Sequence, residues 1–207
     1  KPLEVQERVQ FGVSYISAVL KMAGHQTDLV VLTPKNFERL DRWMDEFQPD
    51  LACFTAVFSE FPIMARAAQR IRTKHAGVFT LLGGPHASLN PLKCLEGGFD
   101  AVCLGEGEYP TLELVEQLKE GRAPSNIPNL WIRQDGGVER NPARPFLQDL
   151  DSLPFPDREM WDRWIAYPAY RPSVLLGRGC PFQCTYCCNH AIRRLAPGRY
   201  VRLRSPR

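Results

Sequence analysis

The sequence predicts an α/β protein built on a doubly wound parallel sheet with helices on both faces. Helical and strand-like patterns alternate over the first 119 residues, and the connections between them are short. One predicted strand, 51–55, is a continuous apolar run of the kind that a parallel sheet buries on both sides. In this architecture, ligands bind at the carboxyl ends of the strands.

Hydrophobic periodicity places the elements in order. Mixed three- and four-residue apolar spacings predict a helix over 11–23, ended by Gly24. Strands are predicted at 27–32, 51–55, 78–82 and 101–104, and the further helices at 37–47, 62–74, after Pro91 and at 109–119. Because no strand precedes the first helix, we expect the first strand of the sheet to be missing at the N-terminus.

The pattern changes after Gly121. Residues 130–133 and 138–140 predict a β-hairpin, and six prolines between 141 and 172 predict an irregular linker. A new strand at 173–176 is predicted to lead into a group of cysteines. We therefore divide the chain into a first domain, a hairpin with a linker, and the start of a second domain, over residues 1–125, 126–172 and 173–207.

Composition excludes several classes of protein. The chain has 207 residues, of which 44% are hydrophobic and 24% charged, as in an ordinary globular protein. It lacks an apolar run of about 18 residues, and residues 1–25 lack the order of a signal peptide, so neither membrane insertion nor export is expected. The seven cysteines are odd in number and four of them crowd between 180 and 188, which favours the reducing cytoplasm over a disulfide framework.

Charge is unevenly spread along the chain. From Arg178 onward there are seven arginines and no acidic residue. Such a basic tail can contact nucleic acid or phosphate. We interpret it instead as a piece of a larger domain whose acidic partners lie outside the chain. The chain begins with Lys1 and stops at Arg207 with no helix or strand completed after the cysteines, so we expect it to be a fragment.

The most specific motif predicts an iron–sulfur cluster bound by Cys180, Cys184 and Cys187. Thiolates spaced by three and then two residues can hold three corners of a 4Fe–4S cluster and leave its fourth iron open. Zinc is the alternative, with Cys188 or His190 as a fourth ligand. Against zinc, the motif follows a predicted strand, carries Tyr186 before its third cysteine, and has no second ligand pair elsewhere.

Polar or glycine-rich segments follow three consecutive predicted strands. They contain Thr55 and Ser59, then Gly83, Gly84, Pro85 and His86, then Gly105, Glu106, Gly107 and Glu108. Parallel strands place such ends on one rim, where glycines expose backbone amides to a broad ligand. Glycines in these positions are also typical of plain turns.

The remaining polar and cysteine side chains of the first domain have simpler interpretations. Glu106 and Glu108 could be general acids or bases, but we expect them to cap the following helix and complement its positive end. Cys53 and Cys103 lie in apolar strands and are predicted to be core thiols.

The cysteine motif resembles that of the radical S-adenosylmethionine superfamily, in which Cys-x3-Cys-x-aromatic-Cys follows the first barrel strand. Segments 176–179 and 200–206 resemble those flanking this motif in cobalamin-dependent members. Over residues 11–119, Gly-Gly-Pro-His followed by Gly-Glu-Gly-Glu resembles the cobalamin-binding domain fused to such barrels. The resemblance implies a Rossmann-like cobalamin-binding domain followed by the beginning of a partial (β/α) barrel.

The resemblance also implies a chemistry. The cysteines would hold a 4Fe–4S cluster that cleaves S-adenosylmethionine reductively, cobalamin would carry a methyl group, and the enzyme would methylate a small molecule, with electrons from a flavodoxin or ferredoxin. His86 is expected to line its loop and not to bind cobalt, because the Asp-x-His-x-x-Gly pattern is absent. The alternatives are a cyclase or rearrangement enzyme, a non-catalytic cobalamin-binding or sensory module with a remnant barrel, and a zinc-dependent nucleic-acid module.

Overall fold

The structure of the chain is a computed structural model that describes residues 9–165 and 173–206. The helices in these ranges are α1 (Phe11–Met22), α2 (Leu40–Phe47), α3 (Phe61–Lys74), α4 (Pro85–Leu89), α5 (Pro91–Glu96), α6 (Glu108–Lys119) and α7 (Asn189–Ile192), with short 3-10 turns at Phe37–Arg39, Leu150–Ser152 and Glu159–Trp161. The strands are β1 (Leu51–Thr55), β2 (Phe79–Gly83), β3 (Ala101–Cys103), β4 (Leu130–Gln134), β5 (Gly137–Arg140), β6 (Gly177–Arg178) and β7 (Arg202–Leu203). None of the described helices combines the length and the apolar character that crossing a bilayer requires.

The predicted α/β sheet is confirmed, but the hairpin adds two antiparallel strands to it. β1, β2 and β3 are parallel neighbours, and Thr55 lies opposite Gly83 at the carboxyl ends of the first two. β4 then pairs antiparallel with β3, and β5 with β4, so the hairpin completes a five-stranded mixed sheet in the order β1-β2-β3-β4-β5. The alternating Leu130 and Ile132 explain why it joins the sheet, since both side chains are buried in the core.

Alternation along the strands sends successive side chains to opposite faces, and each face is covered by helices. Leu81 packs in a buried cluster with Leu114 of α6. Leu82 packs on the other face with Ala68 of α3 and Leu95 of α5. Helices therefore lie on both faces, as the doubly wound prediction requires.

The strand predicted at 27–32 is wrong. Residues 25–33 form no strand, and two of their backbone carbonyls accept hydrogen bonds from side chains in place of a neighbouring strand. The indole of Trp164 donates to the carbonyl of Leu29 at 2.8 Å, and the Asn36 amide donates to that of Val31 at 2.9 Å.

The strand predicted at 173–176 is also wrong in position. The structure begins strand β6 at Gly177, and β6 pairs antiparallel with β7, which is only two residues long. Main-chain bonding to the β7 side reaches back to Leu176, whose carbonyl accepts the N–H of Arg204 at 2.8 Å, and residues 173–176 precede the strand.

The linker is pinned to α1 by a buried carboxylate. Ser17 donates to Asp157 at 2.6 Å, Lys21 lies 2.8 Å from the same oxygen, and the backbone N–H of Asp157 donates to the Ser14 carbonyl at 3.0 Å. Burial alone would raise the pKa of the Asp157 carboxyl, but hydrogen bonds from Lys21 and Ser17 outweigh burial, and the pKa lies below its ordinary value.

This arrangement predicts a pH-dependent contribution to stability. Because the folded pKa of Asp157 is depressed, its contribution is present above the unfolded pKa near 3.8 and is lost as pH falls through the folded pKa. Asp157→Asn should lower the free energy of unfolding by about 1–2 kcal/mol at pH 7. The deficit should shrink below about pH 4 in urea titrations.

Asp162→Asn, in the same linker but at an exposed position, is the matched control and should change stability little. A constant deficit for Asp157→Asn from pH 7 to pH 2 would contradict this role of the carboxylate.

Candidate functional site

The carboxyl ends of β1, β2 and β3 open onto a cleft of about 1790 Å³. Roughly 300–1,000 Å³ is usual for pockets that hold drug-sized molecules, so this cleft suits a larger ligand. The cleft lining contains every predicted rim residue except His86: Thr55, Ser59, Gly83, Gly84, Pro85, Gly105, Glu106, Gly107 and Glu108. The same cleft is bordered by Arg178, Gly179, Tyr200 and Arg202, from both sides of the cysteine motif.

Gly84 brings the backbone of its loop close to the end of β1. Its φ is +91°, and a Cβ atom there would lie 2.7 Å from the Thr55 hydroxyl oxygen and 3.2 Å from the Ala56 carbonyl oxygen. The neighbouring loop is tied in by Ser88, whose hydroxyl accepts the backbone N–H of Gly105 at 3.0 Å. A glycine is therefore required where the rim is tightest.

His86 lies beneath the rim and does not line the cleft. The side chain is buried, with its ring centroid 4.7 Å from that of Phe61 and 5.6 Å from that of Phe58. Its Nε2 atom has no hydrogen-bond partner among the described residues. The expectation that this side chain lines the loop is therefore corrected, because packing against the two phenyl rings holds it below.

The two strand cysteines differ in environment. Cys103 is a core thiol as predicted, and burial, aided by the Glu108 carboxylate, raises its pKa to about 12. Cys53 is accessible from the cleft and lines it, so it is not enclosed in the core, although the protein atoms packed around the thiol desolvate it and raise its pKa to about 12. β1 is the edge strand of the described sheet.

Glu106 and Glu108 do not cap α6, contrary to the prediction, but Glu108 lies in the first turn of α6, where its charge complements the positive end of the helix as predicted. The N-cap residue of α6 is Gly107, and no side chain accepts a hydrogen bond there. Arg178 instead donates to Glu106 at 2.9 Å and also to Glu108. Arg202 donates to both carboxylate oxygens of Glu106, at 2.9 and 3.0 Å. The acidic loop after β3 is thus bound to the two arginines that flank the cysteine motif.

For Arg178, Arg202 and Arg204 the acidic partners are within the chain, which corrects, for these three arginines of the basic tail, the expectation that their partners lie outside it. Besides the two arginines above, Arg204 lies 3.8 Å from the Asp151 carboxylate. These pairs join residues far apart in sequence, so hydrophobic periodicity could not predict them. The available signal was an unusually acidic loop, Gly-Glu-Gly-Glu, in a chain whose last segment is wholly basic.

The arginine pairs are partly withdrawn from solvent. The side chain of Arg202 is 4% exposed and that of Glu108 is 6% exposed. Burial would lower the pKa of the Arg178 guanidinium, but the carboxylates of Glu108 and Glu106 outweigh burial and raise it. The guanidinium groups also stack on aromatic rings, Arg178 at 5.1 Å from the Tyr15 centroid and Arg202 at 5.0 Å from that of Phe146.

The three motif cysteines lie on one loop with free thiols. Cys180 and Cys187 are half-buried, Cys184 is exposed, and the backbone N–H of Cys187 donates to the Cys184 carbonyl at 3.0 Å. Gly179 fixes the start of the loop, because its φ of +88° and its contact with the Tyr200 carbonyl exclude a side chain. A smaller cavity of about 330 Å³ adjoins Cys180 and Tyr200.

The donor chemistry of this loop fits an iron–sulfur cluster, since thiolates are the ligands such clusters use. The structure does not gather the thiols into a preformed site: among the described residues, no three His, Cys, Asp or Glu side chains converge closely enough to hold a metal. The cleft fits a large cofactor by its size, its glycine-lined rim and its polar loops.

Comparison with known proteins identifies the first domain. The family described as "B12 binding domain" matches residues 6–115. Over 182 residues, 85% of this chain and 39% of the relative, the chain is 29% identical to an uncharacterised methyltransferase from Pyrococcus horikoshii. It is also 29% identical, over 84% of the chain and 34% of the relative, to the anaerobic magnesium-protoporphyrin IX monomethyl ester cyclase of Rubrivivax gelatinosus. The chain thus spans between a third and two fifths of these relatives' lengths.

A solved structure shares the fold. The radical S-adenosylmethionine methyltransferase TsrM from Kitasatospora setae, solved with cobalamin and a [4Fe-4S] cluster bound, aligns with a TM-score of 0.70 and 18% identity. The alignment covers 99% of this chain and 42% of that one. At this identity the likeness shows a common fold.

The tight rim predicts a specific sensitivity at Gly84. Gly84→Ala should destabilise the fold by about 1–3 kcal/mol, because a Cβ atom there meets Thr55 and the positive φ is strained. Thermal and urea unfolding would measure the loss. Gly137→Ala, where a Cβ atom has open space, is the matched control and should stay within about 0.5 kcal/mol of the unaltered chain. Equal effects of the two substitutions would contradict the close approach at Gly84.

Proposed function

The chain belongs to the B12-binding domain family, and from this premise we propose that it is the front part of a cobalamin-dependent radical S-adenosylmethionine enzyme. Residues 1–125 would bind cobalamin, 126–172 would connect, and 173–207 would begin the radical S-adenosylmethionine domain. One observation carries the proposal: both flanks of the three-cysteine loop border the cleft at the carboxyl ends of β1, β2 and β3.

Cobalamin fits the cleft in size and in the chemistry of its rim. We infer contacts from Thr55 and Ser59, from the backbone of residues 83–85, and from the backbone of 105–108. The carboxylates of Glu106 and Glu108 are held by arginines, so this loop would meet the ligand mainly through its main chain. Bound cobalamin would supply a cobalt centre that carries a methyl group.

Cys180, Cys184 and Cys187 would hold the 4Fe–4S cluster, which supplies the electron that cleaves S-adenosylmethionine. The protein must deliver three deprotonated thiols from one loop, and free, partly exposed cysteines at these positions are suited to it. Exposure of Cys184 leaves the loop accessible to an electron donor such as a flavodoxin or ferredoxin. The free state of all seven cysteines favours a reducing, cytoplasmic setting.

We propose methyl transfer to a small molecule as the reaction. Support comes from the methyltransferase names of the Pyrococcus relative and of TsrM. Ring closure is the second candidate, because the Rubrivivax relative is named a cyclase and is equally identical to this chain. Cobalamin binding by the full-length protein without S-adenosylmethionine cleavage would instead favour a sensory module.

Anaerobic reconstitution with iron and sulfide tests the cluster. The unaltered chain should bind about four irons and give the optical and paramagnetic spectra of a 4Fe–4S cluster. Cys184→Ala should abolish these spectra, while Cys188→Ala, one residue beyond the motif, should retain them. A cluster that survives Cys184→Ala, or zinc without iron after anaerobic purification, contradicts the assignment.

A further inference from the structure

The Glu106 carboxylate joins the cleft to both strands of the pair that flanks the cysteines, and Glu108 adds a second carboxylate at Arg178. Arg178 in β6 lies directly across from Arg202 in β7, so the two guanidinium groups extend from one strand pair. Both donate to Glu106, at 2.9 Å in each case. Glu106 itself lies in the rim loop between β3 and α6.

The linker meets the same carboxylate. The backbone N–H of Leu147 donates to Glu106 at 2.8 Å, and the Leu147 carbonyl accepts from Arg202 at 2.9 Å. Three segments distant in sequence, the rim loop, the linker and the β6–β7 pair, therefore share one anchor. Charge-assisted bonds at such depth are strong, and losing one partner would leave buried arginine charge uncompensated.

Both ends of this connection are sterically fixed. On the cleft side, a Cβ atom at Gly107 would lie 3.1 Å from Ile16 and 3.6 Å from the Cys103 sulfur, so the rim loop has little room to shift. On the other side, Gly179 is pressed against the Tyr200 carbonyl, and Cys180 follows at once. A displacement at Glu106 would therefore be transmitted to the cysteine loop.

We propose that Glu106 is a positioning residue that sets the register of the cysteine loop against the cobalamin cleft through Arg178 and Arg202. The inference rests on the proposed function for its purpose, since the two cofactors must be held in a fixed relation. The carboxylate acts through the arginines and need not touch either cofactor. Whether Glu106 anchors the cysteine loop can be tested without any cofactor.

The first test measures alkylation of the apo-chain by iodoacetamide, with peptide mass spectrometry reporting each cysteine. Glu106→Gln keeps the size of the side chain and removes its charge. Cys180 should then react several-fold faster, while Cys103 in the core of the main sheet stays protected. An unchanged Cys180 rate overturns the proposal, and so does a parallel rise at Cys180 and Cys103, which signals general unfolding.

Two further variants sharpen this comparison. Glu113→Gln is the matched control, because Glu113 pairs with Arg144 of the linker from the same helix α6 but does not reach the cysteine segment. It should leave Cys180 reactivity unchanged. Arg178→Lys retains the charge but cannot bridge Glu106 and Glu108 as a guanidinium does, so an intermediate rate is expected. A Cys180 rate for Arg178→Lys equal to that of the unaltered chain would overturn the proposal even if Glu106→Gln fails to fold.

The second test follows position itself in the reconstituted chain. Cob(II)alamin and a reduced cluster are both paramagnetic, and their spin–spin interaction depends steeply on separation. At equal cofactor content, Glu106→Gln should weaken or broaden this interaction relative to the unaltered chain and to Glu113→Gln. Identical interaction in all three overturns the positioning role, whereas failure of the unaltered chain to bind the cofactors refutes the proposed function and leaves the alkylation result to decide the anchoring.

Discussion

The side chains of Arg178 and Arg202 are 15% and 4% exposed, and guanidinium groups so shielded from water are stable only beside carboxylates. Glu106 provides that charge from the rim of the main sheet, with Glu108 assisting at Arg178. Two-residue strands contribute little hydrogen bonding of their own, so the position of the short β6–β7 pair rests on these ion pairs together with contacts to the linker. In those contacts Arg204 donates to the carbonyls of Leu153 and Pro154, and the backbone N–H of Ser205 donates to Asp151. The cysteine loop, continuous with β6, depends on the position of this pair in turn.

Local patterns were sufficient to predict the main sheet and its rim. Short apolar runs predict strands at 78–82 and 101–104, which the structure places at 79–83 and 101–103, and parallel pairing then brings Thr55 and Gly83 to the same edge. What local patterns could not supply was long-range pairing. Glu106 meets arginines 72 and 96 residues away, and no periodicity encodes a contact at that separation. The strand prediction within residues 25–33 failed for a related reason. The apolar pattern there suits a strand, but the indole of the distant Trp164 donates a hydrogen bond to the Leu29 carbonyl.

The candidate site combines rim loops that are already fixed in place with a cysteine loop that is not yet arranged to bind a metal. At the rim, Gly84 and Gly105 have positive φ angles and the loops are fixed by close contacts and by Ser88. The cysteine loop has its thiols free and ungathered, so ligand binding would have to organise it. His86 lies under the rim, with Phe58 edge-on and Phe61 tilted against its ring, and belongs to the supporting layer of the cleft.

The central claim is that the cleft and the cysteine loop bind two neighbouring cofactors. A crystal structure of the anaerobically reconstituted chain, with anomalous difference maps at the cobalt and iron edges, tests this claim most directly. The account predicts cobalt in the cleft at the carboxyl ends of β1, β2 and β3, and iron bound by Cys180, Cys184 and Cys187 beside the same cleft. Cobalt elsewhere on the molecule, or a metal other than iron on the three thiols, would contradict it.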